Sequence, residues 1–203
     1  MAKLKIIESD REISQKINNA LAKELDKSMR KNAAALKSRL RGIISVALLG
    51  SPEIASLSSG VLMADFGLTS DPTDQIISSI MSSIQINIKT PKPSAIAIKG
   101  GLTVTIQPVD YSNLFSLDVA NQIIEGGSIP WLRWLLTFGD QIIIADFGVE
   151  YGPYGRTGKA RMMRNPRPFK VNSLFSGTPE NNFITRALAN SSAQIKKAIQ
   201  GGI

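Results

Sequence analysis

The stretch "SDREISQKINNALAKELDKSMRKNAAALKSRLRGIISVALLG", residues 9–50, predicts one long helix that dominates the fold. Ser9 and Glu12 have the spacing of a capping box, in which each side chain satisfies a backbone N–H group of the other. Apolar residues then recur every three or four positions, as on one helix face. They are Ile13, Ile17, Leu21, Leu25, Met29, Ala33, Leu36, Leu40 and Ile44.

The predicted length of this helix is unusual for a small domain. An unbroken helix of about 40 residues is about 60 Å long. Since a compact domain of this size does not need that length, we expect either a bend near Asn32 or Gly42 or an extension toward a neighbouring molecule.

Two shorter helices are predicted next. In "GSPEIASL", Ser51 is placed to cap a helix and Pro52 takes the first helical position, where its missing N–H group costs nothing. In "SDPTDQIISSIMSSI", Asp71, Pro72 and Asp74 repeat this arrangement before an apolar face.

From residue 85 the apolar period changes from helical to alternating. "QINIKT" and "SAIAIKGGLTVTIQP" place apolar and polar side chains in turn, which is typical of half-buried antiparallel strands. The pair Gly100 and Gly101 is either a bulge within one strand or a tight turn between two.

The remaining sequence predicts a mixture of helices and strands. The elements are a helix over 111–124, a helix over 129–140, a strand over 141–151, a possible strand over 169–175 and a terminal helix capped by Thr178. Trp131 and Trp134 share an apolar helix face, which favours core packing over ligand stacking. Because the strands are grouped rather than alternating with helices, the fold class is α+β. We expect a single domain over 1–203, with a long N-terminal helix, a small antiparallel sheet of about four strands and a C-terminal helix packed on it.

Composition excludes several kinds of chemistry. The chain has 203 residues, without cysteine or histidine, which removes thiolate nucleophiles, disulfides, histidine metal sites and imidazole-based catalytic triads. The N-terminus lacks the apolar region of a signal peptide, and no stretch approaches twenty apolar residues. We therefore expect no membrane span.

The net charge of +8 is distributed unevenly. Residues 1–50 have 11 Lys and Arg against 5 Asp and Glu, residues 51–150 have 4 against 10, and residues 151–203 have 9 against 1. This alternation predicts that different surfaces meet different partners, or that copies of the chain meet head to tail through opposite charges.

Three motifs suggest an enzyme without supporting one. "GPYGRTGKA", 152–160, resembles a phosphate-binding loop, but its first glycine is one residue too distant and Ala160 replaces the hydroxyl that would hold magnesium. "ADFG" occurs twice, without the histidine-containing motif of protein kinases. Asp146 and Glu150 flank one strand end, and two carboxylates on a single strand are only weak evidence for a metal site. We expect a non-enzymatic protein without a cofactor or metal.

The segment 151–170 is strongly basic and is punctuated by glycine and proline. It is predicted to be an extended basic arm or loop. Three roles are open to it: contact with an acidic face of a neighbouring subunit, contact with nucleic acid phosphates, or a plain solvated surface loop.

Several stretches of this sequence resemble the neck or tail-completion proteins that join head to tail in tailed bacteriophages. They are "PWLRWLLTFGDQIIIADFGVEYGP", "RTGKARMM", "PFKV", "FSGTPENNFITRAL" and, earlier, "SLSSGVLMADFGLTSDPTDQIISSI". Together they cover about half of the chain, and residues 175–188 are the strongest of them. The resemblance implies an α+β subunit of a ring through which DNA passes.

This resemblance also implies partners and a location. The partners are copies of the chain in a ring, portal or adaptor and tail proteins, and genomic DNA that passes through the lumen with weak, non-specific contact. The location is the virion, after assembly in the host cytoplasm. The residues expected to contact subunits or partners are Arg156, Lys159, Arg161, Arg164, Arg167, Lys170, Phe175, Asn181, Asn182 and Arg186. The alternative function is that of a small basic DNA-binding accessory protein, although no helix-turn-helix signature is present.

Overall fold

Helix α1 runs without a break from Asp10 to Leu49 in the computed structural model, which describes residues 8–124 and 127–201. The capping box is confirmed: Oε2 of Glu12 accepts a hydrogen bond from the backbone N–H of Ser9, and Oγ of Ser9 accepts one from Glu12. The helix continues through Asn32 and Gly42, so neither residue interrupts it.

Three helices follow α1. They are α2 (Pro52–Ser59), α3 (Val61–Asp65) and α4 (Thr73–Ser83). Ser51 precedes α2 as predicted, but its hydroxyl donates to the carbonyl of Leu48 rather than capping α2. At the start of α4, Oδ1 of Asp71 accepts from the N–H group of Thr73 at 2.8 Å.

Strands β1 (Gln85–Pro93) and β2 (Ile98–Thr105) form an antiparallel hairpin. The pairing shifts between Lys89 and Lys92, opposite Gly100. Gly100 has a φ of 135°, and a Cβ there would come within 2.9 Å of the backbone of residues 89–91. Only glycine fits such a position, so the glycine pair lies within one strand, β2, opposite a bulge in β1, rather than forming a turn between two strands.

The rest of the chain forms short elements. They are α5 (Ser112–Phe115), a 3₁₀ turn (Asp118–Ala120), β3 (Gln122–Ile124), β4 (Gly127–Ile129), α6 (Trp131–Thr137), β5 (Phe147–Tyr151), β6 (Ala160–Arg164), α7 (Phe183–Asn190) and α8 (Ser192–Gln200). The α+β class, with its long N-terminal helix, antiparallel strands and C-terminal helices, is confirmed. In the described residues the strands make three separate two-stranded sheets rather than one sheet of about four.

Two predicted elements over 111–151 are wrong in part. The helix over 111–124 is limited to one turn, because Tyr111 has a left-handed φ of 55° and Leu117 is extended. The strand over 141–151 begins only at Phe147, and Asp146 before it has a left-handed φ of 59°.

The C-terminal elements also differ from the prediction. The region 169–175 contributes one bridge, between Ile144 and Phe169, instead of a strand. The terminal helix is capped by Asn182 rather than Thr178, because Oδ1 of Asn182 accepts from the N–H groups of Ile184 and Thr185. A break at Ser191 then separates α7 from α8.

The core lies between the second half of α1 and the helices α2, α4, α6 and α7. Its largest residue is Trp131, which is fully buried, stacks 5.4 Å from Phe66 and donates its Nε1–H to the carbonyl of Val119. Trp134 is half-buried and meets the edge of Phe169. The prediction that this aromatic face packs in the core is confirmed.

The first half of α1 extends beyond this core together with the turn end of the β1–β2 hairpin, while the other end of the hairpin packs against the core through Ile86, Leu102 and Val104. The core begins at Leu36 in α1, so the 26 residues before it span about 39 Å. Nη2 of Arg30 donates to Oγ1 of Thr90, and Nδ2 of Asn18 donates to the carbonyl of Ser94, near the hairpin turn. We call residues 10–35, β1 and β2 the helix–hairpin arm.

Candidate interaction surface

The basic segment 151–170 is largely a β-hairpin, so the prediction of an extended arm is corrected. Strand β6 pairs with β5 along its whole length, from Tyr151 opposite Ala160 to Phe147 opposite Arg164. The glycine-rich stretch forms the turn between these strands, with positive φ at Gly152, Gly155 and Gly158. It leads into a strand, whereas a phosphate-binding loop leads into a helix.

Three of the predicted contact cations are engaged within the chain. The guanidinium of Arg156 donates to the carbonyl of Gly67 at 2.8 Å, and Nζ of Lys159 lies 3.1 Å from Sδ of Met63. Lys170 forms an ion pair with Asp140 at 3.5 Å. These contacts hold both ends of the segment against the body of the protein.

Arg161 is also engaged, at the middle of the hairpin. Its Nε donates to Oε2 of the cross-strand residue Glu150 at 2.6 Å, and its guanidinium lies 4.4 Å from the ring centre of Tyr154. By contrast, the exposed guanidinium groups of Arg164 and Arg167 have no partner within residues 8–124 and 127–201. Only these two cations of the segment therefore remain free within that part of the chain.

The other predicted contact residues differ strongly in accessibility. Asn182 is fully buried, and its Nδ2 donates to the hydroxyl of Tyr111 at 2.8 Å, so it cannot contact a partner in this conformation. Arg186 forms an ion pair with Glu53, whose side chain is only 3% exposed. Phe175 packs against the core, and Asn181 is exposed and accepts from Arg186 at 3.1 Å.

Tyr151 anchors the β5–β6 hairpin to the end of α3. Its hydroxyl donates to Oδ1 of Asp65 at 2.5 Å. Burial raises the pKa of the Asp65 carboxyl, and the Tyr151 hydrogen bond partly offsets that effect. Burial and the adjacent carboxylate raise the pKa of Tyr151, so its hydroxyl stays protonated as a donor. The pair borders a polar cavity of about 250 Å³ that Arg167 and Lys170 also line.

The tip of the helix–hairpin arm is an apolar surface that sequence reasoning assigned to the interior. Ile17 and Leu21 are 54% and 55% exposed, and Ile96 in the hairpin turn is 96% exposed. A cavity of about 510 Å³ lies between the start of α1 and the hairpin turn at 94–96. The spacing of the apolar residues already indicated that they do not all lie on one side of α1, because each four-residue step advances about 40° around a helix. A run of such steps places Ile17 and Met29 on different sides.

A second surface, on the body, combines apolar lining with acidic groups. A cleft of about 270 Å³ is lined by Leu68, Pro72, Val119 and Ile123, the last of which is 78% exposed. Asp118 also lines it; Asp71 directly precedes the lining residue Pro72 in the sequence, and Asp74 follows it by two residues. All three aspartates are exposed and have no cationic partner among the described residues. We call this surface the acidic cleft.

The two surfaces belong to parts of opposite charge. The helix–hairpin arm has 9 Lys and Arg against 4 Asp and Glu. Residues 51–84 and 106–150 have 1 against 10. C-terminal cations neutralise Glu53, Asp140 and Glu150 of this acidic region, whereas within residues 8–124 and 127–201 none pairs with Asp71, Asp74 or Asp118.

Within the described ranges, no three Asp or Glu side chains are grouped as a metal site would require. Asp146 and Glu150 do not form one, since Glu150 pairs with Arg161. No single described helix is long and apolar enough to cross a membrane, and only α1 and α2 together, bent by 65°, meet those criteria of length and composition. Comparisons with protein-family models, curated proteins and solved structures find no match.

Proposed function

We propose that this chain is a non-enzymatic structural subunit that forms a ring at the head-to-tail junction of a tailed bacteriophage. The observation that supports it most is the presence of two unlike surfaces on one chain, the apolar tip of an arm that is basic as a whole and the acidic cleft. A ring is built from heterologous contacts, in which one surface of each subunit meets a different surface of the next. Adjacent subunits therefore need complementary rather than identical patches.

The resemblance of residues 56–80 and of several stretches within 130–188 to neck and tail-completion proteins gives this assembly its proposed place. In the proposed ring, copies of the chain surround the DNA channel, and portal or adaptor and tail proteins bind above and below. The DNA passes with weak, non-specific contact. The particle, assembled in the host cytoplasm, is the proposed location.

The test is the content of the genes that flank this one, together with the protein composition of purified particles. We expect flanking genes for a portal, a capsid protein and tail components, and this chain among the proteins of the particle. Regulators or metabolic enzymes in the flanking genes, with no chain in particles, would contradict the proposal. This test does not depend on whether the isolated chain assembles.

A second candidate function is binding of duplex DNA, and the free cations Arg164 and Arg167 favour it. Each phosphate contact releases counterions, so affinity falls steeply with salt. Replacing both arginines with alanine should lower the slope of log affinity against log salt by about 2. The control is Arg161→Ala, which removes a cation that Glu150 already holds. Binding that is undetectable at low salt would exclude this function.

A further inference from the structure

We propose that the tip of the helix–hairpin arm of one copy docks into the acidic cleft of the next copy. The inference rests on the proposed ring-forming function and names its subunit interface. The docking residues on the arm are Ile17, Leu21 and Ile96, with the exposed cross-strand pair Lys92 and Lys99 next to the turn that carries Ile96. Those on the cleft are Ile123, Asp74 and Asp118.

The first argument is the apolar surface at both sites. Ile96 is 96% exposed at the turn of a hairpin, next to a cavity of about 510 Å³, and Ile17 and Leu21 lie exposed on the adjoining helix. At the cleft, Ile123 is 78% exposed beside buried Leu68 and Pro72. Burial of such side chains supplies the main favourable free energy of association.

The second argument is charge, which decides the partner. Contact between two arms would bring rows of lysines together, since each arm has a net charge of +5. Like charges facing each other disfavour that symmetric pairing. Asp71, Asp74 and Asp118, which no cation of their own chain neutralises in the described residues, provide the complementary charge.

The third argument is geometry, which directs the arm to a neighbour rather than to its own cleft. Nε of Arg41 donates to the carbonyl of Met81, so the C-terminal end of α4 lies at the base of the arm. Asp74 lies near the opposite end of this 11-residue helix, about 11 Å from Met81. The tip lies about 39 Å from Leu36 in the continuous helix α1. A rigid arm cannot fold back over both distances.

The first test is chemical cross-linking, which the absence of native cysteine makes specific. Ile96→Cys protein is mixed with Ile123→Cys protein and treated with a short bismaleimide. We expect a mixed cross-linked dimer, at least about tenfold more abundant than when Leu174→Cys replaces Ile123→Cys. Leu174 is 80% exposed and lies in neither surface, so it controls for random encounter. A protein with both cysteines should give a ladder of higher oligomers.

The second test is charge reversal with rescue. Lys92→Glu with Lys99→Glu, or Asp74→Lys with Asp118→Lys, should each lower the cross-link yield about tenfold. When Ile96→Cys is placed in the copy with the reversed arm and Ile123→Cys in the copy with the reversed cleft, the cross-link yield should recover. The acidic arm then meets a basic cleft. Lys196→Glu with Lys197→Glu makes the same change of charge on α8 and should have no effect. Circular dichroism of each variant verifies its fold.

The outcomes separate the interface from the function. A yield no higher than that of the Leu174→Cys control, or charge reversal without loss, overturns the docking even if the chain still forms rings by another surface. A strong mixed cross-link with flanking genes unrelated to phages leaves the docking intact and rejects the head-to-tail function. A cross-link within Ile96→Cys protein alone, in excess of the mixed product, would indicate arm-to-arm pairing instead.

Discussion

The hydroxyl of Tyr151 donates a 2.5 Å hydrogen bond to Oδ1 of Asp65, and this contact joins β5 to the end of α3. The two residues are 86 positions apart in the sequence. Together with the bond from Arg156 to Gly67, it explains why the basic segment lies on the body instead of extending from it.

Removal of the Tyr151 hydroxyl should loosen the hairpin. Tyr151→Phe keeps the ring but deletes the donor, and we expect a loss of about 1 kcal/mol in the free energy of unfolding. Amide hydrogen exchange should accelerate in β5 and β6 rather than in α1. Urea denaturation and hydrogen-exchange mass spectrometry measure both effects. Tyr154→Phe is the control, because the ring retains its contact with Arg161.

The carboxyl of Asp65 should make stability depend on pH. Its pKa is raised by burial, so the folded state binds a proton more readily than the unfolded chain. Between the unfolded pKa of about 3.9 and the raised folded value, stability falls as pH rises. The amide oxygen in Asp65→Asn still accepts the Tyr151 hydrogen bond, but the amide avoids the free-energy cost of burying an ionised carboxylate. This variant should exceed the wild type in melting temperature at pH 7, and the excess should shrink toward pH 4. A difference that is constant with pH would contradict this account.

Loss of Arg186 should destabilise the fold, although the sequence suggested a role in partner contact. Its partner Glu53 is 2% exposed, so removing the cation leaves a buried carboxylate uncompensated. We expect Arg186→Met to cost about 2 kcal/mol, less than for a fully buried pair because the guanidinium is partly hydrated. Adding Glu53→Gln should recover much of the loss. If the single variant unfolds like the wild type but blocks assembly, the contact interpretation is correct after all.

Asn182 should be a structural residue rather than a contact residue. Asn182→Ala removes the cap of α7 and the donor to Tyr111, and we expect a loss of about 2 kcal/mol. Asn182→Ser keeps a capping oxygen without burying a charge but loses the donor, so its loss should be smaller. Thermal and urea unfolding of both variants check this order. Equal losses would show that the cap contributes nothing measurable.

The charge pattern of the sequence predicted regions of opposite charge, but not which surfaces they occupy in the fold. Opposite charges along the chain indicated head-to-tail contact, and those charges do occupy different parts of the structure. The basic segment was the wrong place for an arm, because its cations meet Glu150 and Asp140, which are acidic groups of the same chain. Local composition does not show which basic residue will form an ion pair with which acidic residue once the chain is folded.

The sequence by itself determined the elements whose causes are local. The capping box at Ser9 and Glu12, the unbroken helical period up to Leu48 and the alternation of the β1–β2 hairpin depend on neighbours within a few residues. Tertiary structure alone decided which apolar residues are covered. Met29 is 1% exposed whereas Leu21, two turns earlier, is 55% exposed, although both have helical spacing. The difference arises because burial depends on which elements pack against each side of α1, and that arrangement is fixed only by the whole chain.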